Sequence, residues 1–204
     1  MSNAREDMLG RVNKALAILP ERKPLPEWDT ELAVARKLVE NHDVLAVFSE
    51  RIKIANAMAM TDPAAVAAFL KNGGWRHGYC DPALLPALRP AFGPEFTFET
   101  EFDRTRVDDF TFGITRAAGA IAETGTIILN DTVTSRRLGA LTPWVHIAVV
   151  PRNLIHRTLE DAVRTFGDDP NVIWITGPSK TADIEGILIE GVHGPGIQIA
   201  LVVS

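Results

Sequence analysis

The sequence predicts an α/β domain built on a mostly parallel sheet covered on both faces. Three observations predict it. Nearly continuous apolar runs, WVHIAVVP at 144–151, NVIWITG at 171–177 and IQIALVV at 197–203, read as buried strands. Stretches with helical spacing alternate with them, a pattern that favours right-handed crossovers between parallel strands. Asp62-Pro63 and Asp81-Pro82 each open a helical stretch after a strand-like one, the aspartate as cap and the proline in the first turn.

Taken in order, residues 3–19 place Met8, Val12, Ala15, Leu16 and Leu19 at helical spacing, and Pro20 stops the helix. ERKPLPEW at 21–28 holds two prolines and reads as an extended connector. TELAVARKLVENHD at 30–43 resumes helical spacing through Leu32, Ala35, Leu38 and Val39. The expected organisation is a helical N-terminal segment at 1–42 and the α/β domain at 43–204.

IKIANAMAM at 52–60 is apolar enough for a strand, and TDPAAVAAFLKNGG at 61–74 follows as a helix capped by Asp62 and ended by Gly73. WRHGYC and DPALLPALRPAF repeat the strand–helix order. Beyond WVHIAVVP, NLIHRTLEDAVRTF at 153–166 reads as a helix and SKTADIEGI at 179–187 as a short helical segment. His42 and His156 fall in helical stretches on this reading.

At 204 residues the chain fits one domain with a sizeable core, with 46% hydrophobic and 23% charged residues. The net charge of −5, with 21 basic residues scattered among 26 acidic ones, argues against a nucleic-acid surface. MSNAREDMLGRVNKAL lacks the apolar core of a signal peptide and no apolar run is long enough for a membrane span, so a cytoplasmic protein is expected. Cys80 is the only cysteine. An iron–sulfur cluster normally takes about four thiolates, so any cluster must belong to a partner. Cys80 beside His77 is either a nucleophile next to a base or a small buried apolar residue.

Three polar loops could carry chemistry: AETGT at 122–126, GPSKTADIE at 177–185 and GVHGP at 191–195. Their glycines allow close backbone approach and their hydroxyls supply donors for an anionic or carbonyl group. Glu123 interrupts an apolar run and needs a hydrogen bond or positive partner, so it is either a held catalytic carboxylate or a hairpin-turn residue facing water. Thr124, Gly125 and Thr126 form the turn that would aim it. Gly177, Ser179, Lys180 and Thr181 would cradle an anion at a capped turn, or simply start a helix. The loop lacks the glycine spacing and Gly-Lys-Ser/Thr ending of a nucleotide P-loop. His193, between Gly191 and Gly194, is either a general acid/base or a turn histidine. His146, inside WVHIAVVP, reads as a satisfied core residue. No ligand spacing for a metal is found.

Together, GITRAAGAIAETGTIIL, TPWVHIAVVP and NVIWITGPSKTADIEGILIEGVHGPGIQIALVV resemble the LUD domain, specifically the lactate-utilization protein C family. The match is strongest from Gly113 onward. The resemblance implies a three-layer Rossmann-like α/β fold, like the phosphosugar-isomerase and CoA-transferase (NagB/RpiA/CoA transferase-like) group. It implies partnership with an iron–sulfur protein and a cysteine-rich protein in oxidising L-lactate to pyruvate, with the clusters held by the partners and no cofactor in this chain. By analogy with CoA transferases, Glu123 looks like an acyl-accepting nucleophile.

Three functions are therefore carried forward. The first is a subunit of a lactate-oxidising complex, with Lys180 on the substrate carboxylate and His193 or Glu123 taking the hydroxyl proton. No GxGxxG follows a strand, so no hydride acceptor is visible in this chain. The second is a non-catalytic ligand-sensing or assembly module, and the third an acyl- or CoA-transferring enzyme using Glu123.

Overall fold

The computed structural model describes residues 4–18, 42–134, 136–167, 169, 171–182 and 187–204. The chain divides into two compact units, Met1–Val34 and Ala35–Ser204. In the first, helix α1 (Ala4–Leu16) forms where the apolar spacing predicts it, and Met8, Leu9, Val12 and Leu16 are exposed. The helix expected at 30–43 falls almost wholly outside the described residues.

The second unit opens with α2 (Val44–Ile54), capped by Asp43, whose side chain accepts the Ala46 N–H at 3.2 Å. Val47, Phe48 and Ile52 form its buried face. Here the structure corrects the sequence reading: Ile52, Lys53 and Ile54 end a helix, and the strand β1 is only Met58–Met60. Helix α3 (Pro63–Asn72) follows as expected, with Asp62 accepting the Ala64 N–H at 2.8 Å and Gly73 at its end. Next come β2 (His77–Cys80), the single turn α4 (Leu85–Leu88) and β3 (Thr97–Glu99). The prolines of DPALLPALRPAF reduce the expected helix to that turn and a short 3-10 segment.

Six strands make one parallel sheet in the order β1-β12-β7-β4-β2-β3, with β4 (Phe112–Arg116), β7 (Val145–Pro151) and β12 (Ile197–Val203) in its centre. Alternation along these strands divides the core in two. Val145, Ile147, Val149, Ile199 and Leu201 pack with α3, Cys80 and a group of phenylalanines. Ala148, Val150, Ala200 and Val202 face the other way, toward α2 and a second sheet.

That second sheet is where the expectation of helices on both faces needs amending. Its four strands run in the order β8-β5-β6-β9, from β5 (Gly119–Ile121), β6 (Thr126–Asn130), β8 (Ile155–His156) and β9 (Val172–Ile175). NVIWITG is thus a strand, but one that pairs antiparallel with β6 outside the parallel sheet. The stretch 153–166 is a 3-10 turn, the strand β8 and a short helix α6 (Leu159–Val163), because Ile155 and His156 pair with β5 and a Thr158–Asp161 capping box starts the helix late. Small residues such as Ala120, Ala148 and Ala200 line the contact between the sheets. Helix α5 (Arg137–Leu141) connects β6 to β7.

Candidate functional site

Of the three polar loops, the structure brings two together. After β9 the chain turns through Gly177 and Pro178 into the strand β10 (Lys180–Ala182), which pairs with β11 (Leu188–Glu190) in an antiparallel hairpin. The short helix expected at 179–187 is therefore a strand where it is described. Ser179 donates its N–H to the Pro195 carbonyl at 2.9 Å and accepts the Gly191 N–H at 2.9 Å, which ties GPSKT to GVHGP. The first of these bonds occupies the Ser179 N–H that a helix start would have offered to an anion.

The two loops wall a groove of about 410 Å3, a volume suited to a small ligand. Gly177, Ser179 and His193 line it, joined by Trp174, Thr176 and Gln198. His193 is exposed, and Trp174 is 40% exposed, so the groove offers an aromatic face as well as hydroxyls and an imidazole. Lys180 points elsewhere: its ammonium lies 3.6 Å from the Glu190 carboxylate, which also accepts from Asn56 Nδ2 at 2.9 Å. Thr181, its neighbour on β10, pairs with Ile189 across the hairpin.

The AETGT loop stands apart as the β5–β6 hairpin turn. Glu123 accepts the Leu159 N–H at 3.0 Å and donates its own N–H to Arg157, so its carboxylate sits on the first turn of α6. Glu123→Ala is expected to cost about 1 kcal/mol, and Glu123→Gln, which keeps an acceptor, a few tenths. Denaturant titration of both variants checks this; equal loss in the two would show that the carboxylate charge, not the acceptor, is what counts.

Gly125 and Gly177 explain the glycines of both motifs. Each has a left-handed backbone, φ 67° and 87°, and each faces the end of α2. A Cβ on Gly125 would overlap the Ile52 nitrogen, and one on Gly177 the Ala55 carbonyl oxygen. The turns are thus the two seats on which the last turn of α2 rests. A chain of hydroxyls joins them: Thr124 to Thr126 and Thr126 to Thr176, each at 2.7 Å.

Beneath the groove runs a buried polar line whose Gln198 the sequence reading does not single out. Gln198, 1% exposed, forms part of the groove floor, and its amide oxygen lies 2.9 Å from His146 Nδ1. An amide oxygen only accepts, so Nδ1 carries the proton and Nε2 accepts from the Thr115 hydroxyl at 2.9 Å. Burial drives the His146 pKa down to about 4, which keeps the imidazole neutral. His146 is the satisfied core residue the sequence suggests. The signal for Gln198 was available, a lone amide inside IQIALVV.

His156 lies on β8 and His42 in a bend before α2, so neither is helical. Cys80 is fully buried, its thiol pushed up to about 12 by burial and then by the Asp81 charge, which removes the thiolate a nucleophile needs.

Fold and groove together define an open parallel α/β domain carrying a ligand-sized polar groove beside its sheet. The LUD domain family matches residues 32–203. A Deinococcus radiodurans protein named lactate utilization protein C is 31% identical over 206 residues, covering 95% of this chain and 92% of its own length. An Exiguobacterium protein of the same name is 43% identical over 91 residues, 41% of this chain and 40% of its own. A crystal structure of a DUF162 family protein from D. radiodurans superposes with a TM-score of 0.58 at 28% identity, covering 79% of this chain and 96% of that one. This chain belongs to the LUD domain family.

Proposed function

We propose that the chain acts in lactate utilization, as one subunit of an assembly that oxidises L-lactate to pyruvate with iron–sulfur and cysteine-rich partner proteins. The observation that carries this reading is similarity along nearly the whole chain to a protein named lactate utilization protein C. The oxidation removes two electrons and two protons from the hydroxy acid. Clusters in the partners would take the electrons, consistent with a single thiol that is buried here. In the groove, Ser179 would hold the substrate carboxylate and His193 would accept the hydroxyl proton, while the hydrogen on the hydroxyl-bearing carbon would leave with the electron pair to an acceptor in a partner.

A second reading, ligand binding without turnover, draws support from one arrangement. Two of the charged candidates, Glu123 and Lys180, are engaged with Leu159 and Glu190, which leaves His193 as the titratable side chain on the groove wall.

Deletion of the encoding gene is expected to abolish growth on L-lactate while leaving growth on pyruvate intact, with the wild-type gene restoring it. Undiminished growth on L-lactate would overturn the reading. Complementation with His193→Gln divides the two forms: loss of growth favours proton transfer, and full growth favours binding or assembly.

A further inference from the structure

A second ligand-sized cavity adjoins the groove along Leu141, His193 and Gly194, which line both. It holds about 440 Å3, and its character differs. Where the groove offers Ser179 and Gln198, this cavity is walled by Val107, Phe110, Trp144 and Val192. Trp144 is 45% exposed and Val192 51%, so apolar surface stands open to a ligand beside an imidazole.

The indole is fixed in place. The Trp144 carbonyl accepts the Ile197 N–H at 3.1 Å, which ties its backbone to the start of β12. Its six-membered ring lies against Gly191 and Gly196, where a Cβ on either would overlap it. Gly191 also has a left-handed backbone, φ 82°. A half-exposed aromatic ring seated on two glycines is a flat wall, and such a wall favours another flat ring stacked on it. Polar groups beside it are free to bind: among the described residues, neither the Asp108 carboxylate nor the His193 imidazole has a hydrogen-bond or ion-pair partner.

We propose that this cavity seats the isoalloxazine ring of an oxidised flavin, the acceptor that the lactate reading assigns to a partner. The chemistry rests on that reading and the placement on the cavity. Removal of the carbon-bound hydrogen with its electron pair is a two-electron step, whereas an iron–sulfur cluster takes electrons one at a time. A flavin joins the two regimes. Hydride from the hydroxyl-bearing carbon adds to the ring's N5, while the hydroxyl proton passes to His193 and the carbon–oxygen bond becomes the carbonyl of pyruvate. The reduced ring then gives two electrons singly to the partner's clusters and releases the added hydrogen as a proton. In the cavity the ring stacks on Trp144 beside Val192, and Asp108 accepts the imide N–H of its polar edge.

Fluorescence titration of the full chain with riboflavin, the probe for the ring, tests this, because stacking on an indole quenches flavin emission. Saturable quenching is expected with a dissociation constant on the order of 10 μM, and adenosine, flat but without the imide edge, should compete at least about tenfold more weakly. Trp144→Leu and Val192→Asp are each expected to weaken riboflavin by about tenfold or more. Val192 is exposed, so its variant should melt with the wild type even where loss of the indole disturbs the glycine seats. Three results would each overturn the proposal: no saturable binding of riboflavin, binding that Val192→Asp leaves unchanged, or adenosine bound as tightly as riboflavin. The growth test of the lactate reading fails separately. Riboflavin bound by a chain whose deletion spares growth on L-lactate would keep the ring site and remove lactate as its reductant, and growth lost without riboflavin binding would remove the ring site alone.

Discussion

Gly177→Ala is expected to lower stability by about 3 kcal/mol, the largest single-residue effect that the two glycine turns predict. The left-handed backbone at φ 87° alone costs a non-glycine residue about 1–2 kcal/mol. The remainder comes from the new Cβ, which would overlap the Ala55 carbonyl and push the end of α2 off its seat. At this chain length the loss corresponds to a melting shift of about 6–12 °C. Gly125→Ala should behave alike, since its Cβ meets the Ile52 backbone. Ile52 is itself fully buried in the core that joins α2 to the second sheet, so displacement there reaches beyond the turn. A shift below about 2 °C in both variants would mean that α2 yields easily and that the glycines are there for another reason.

Acidification is expected to cost about 3 kcal/mol between pH 6.5 and 4 through His146 alone. Its folded pKa of about 4 lies below the unfolded value of 6.5. Between those limits the unfolded chain binds a proton that the folded chain refuses, so stability present above pH 6.5 is lost as pH falls, by up to about 1.4 kcal/mol per pH unit. Below pH 4 this contribution levels off. The cause is structural: protonation would put the ring's second N–H on Nε2, toward the Thr115 hydroxyl in a fully buried site. His156, whose pKa burial also lowers, adds a slope of the same sign. Urea titrations of wild type and His146→Gln at pH 7, 6, 5 and 4.5 separate the two contributions. The variant should start less stable yet fall less steeply, and parallel curves would sink the assignment.

The elements legible in the sequence were those whose signal is local. Strands β7 and β12 are buried on both faces and read as unbroken apolar runs, and α3 carries both of its caps in TDPAAVAAFLKNGG. The misread segments depend on distant partners. Ile52 belongs with Val47 and Phe48 on one helical face, but the apolar letters that follow it imitate a strand. Lys180–Ala182 is extended because Leu188–Glu190 lies opposite, and Ile155–His156 because β5 does. A capping box at Thr158 and Asp161 did mark the true start of α6 in the sequence.

The candidate site divides along the same line. Gly177, Ser179 and His193, drawn from two strand-end loops by their polar letters, line one groove. Glu123, Thr124, Gly125 and Thr126 share that composition yet serve the packing of α2 and α6, a use that only the fold discloses.

The position of β12 has a consequence for synthesis. It lies between β1 and β7, and among the described residues β1 has no other strand neighbour. During translation Met58 must wait for Ile199, while β2, β3, β4 and β7 can align earlier. Until β12 leaves the ribosome, β7 presents an open edge to whatever the nascent chain meets, and this is the stage at which mispairing is most exposed.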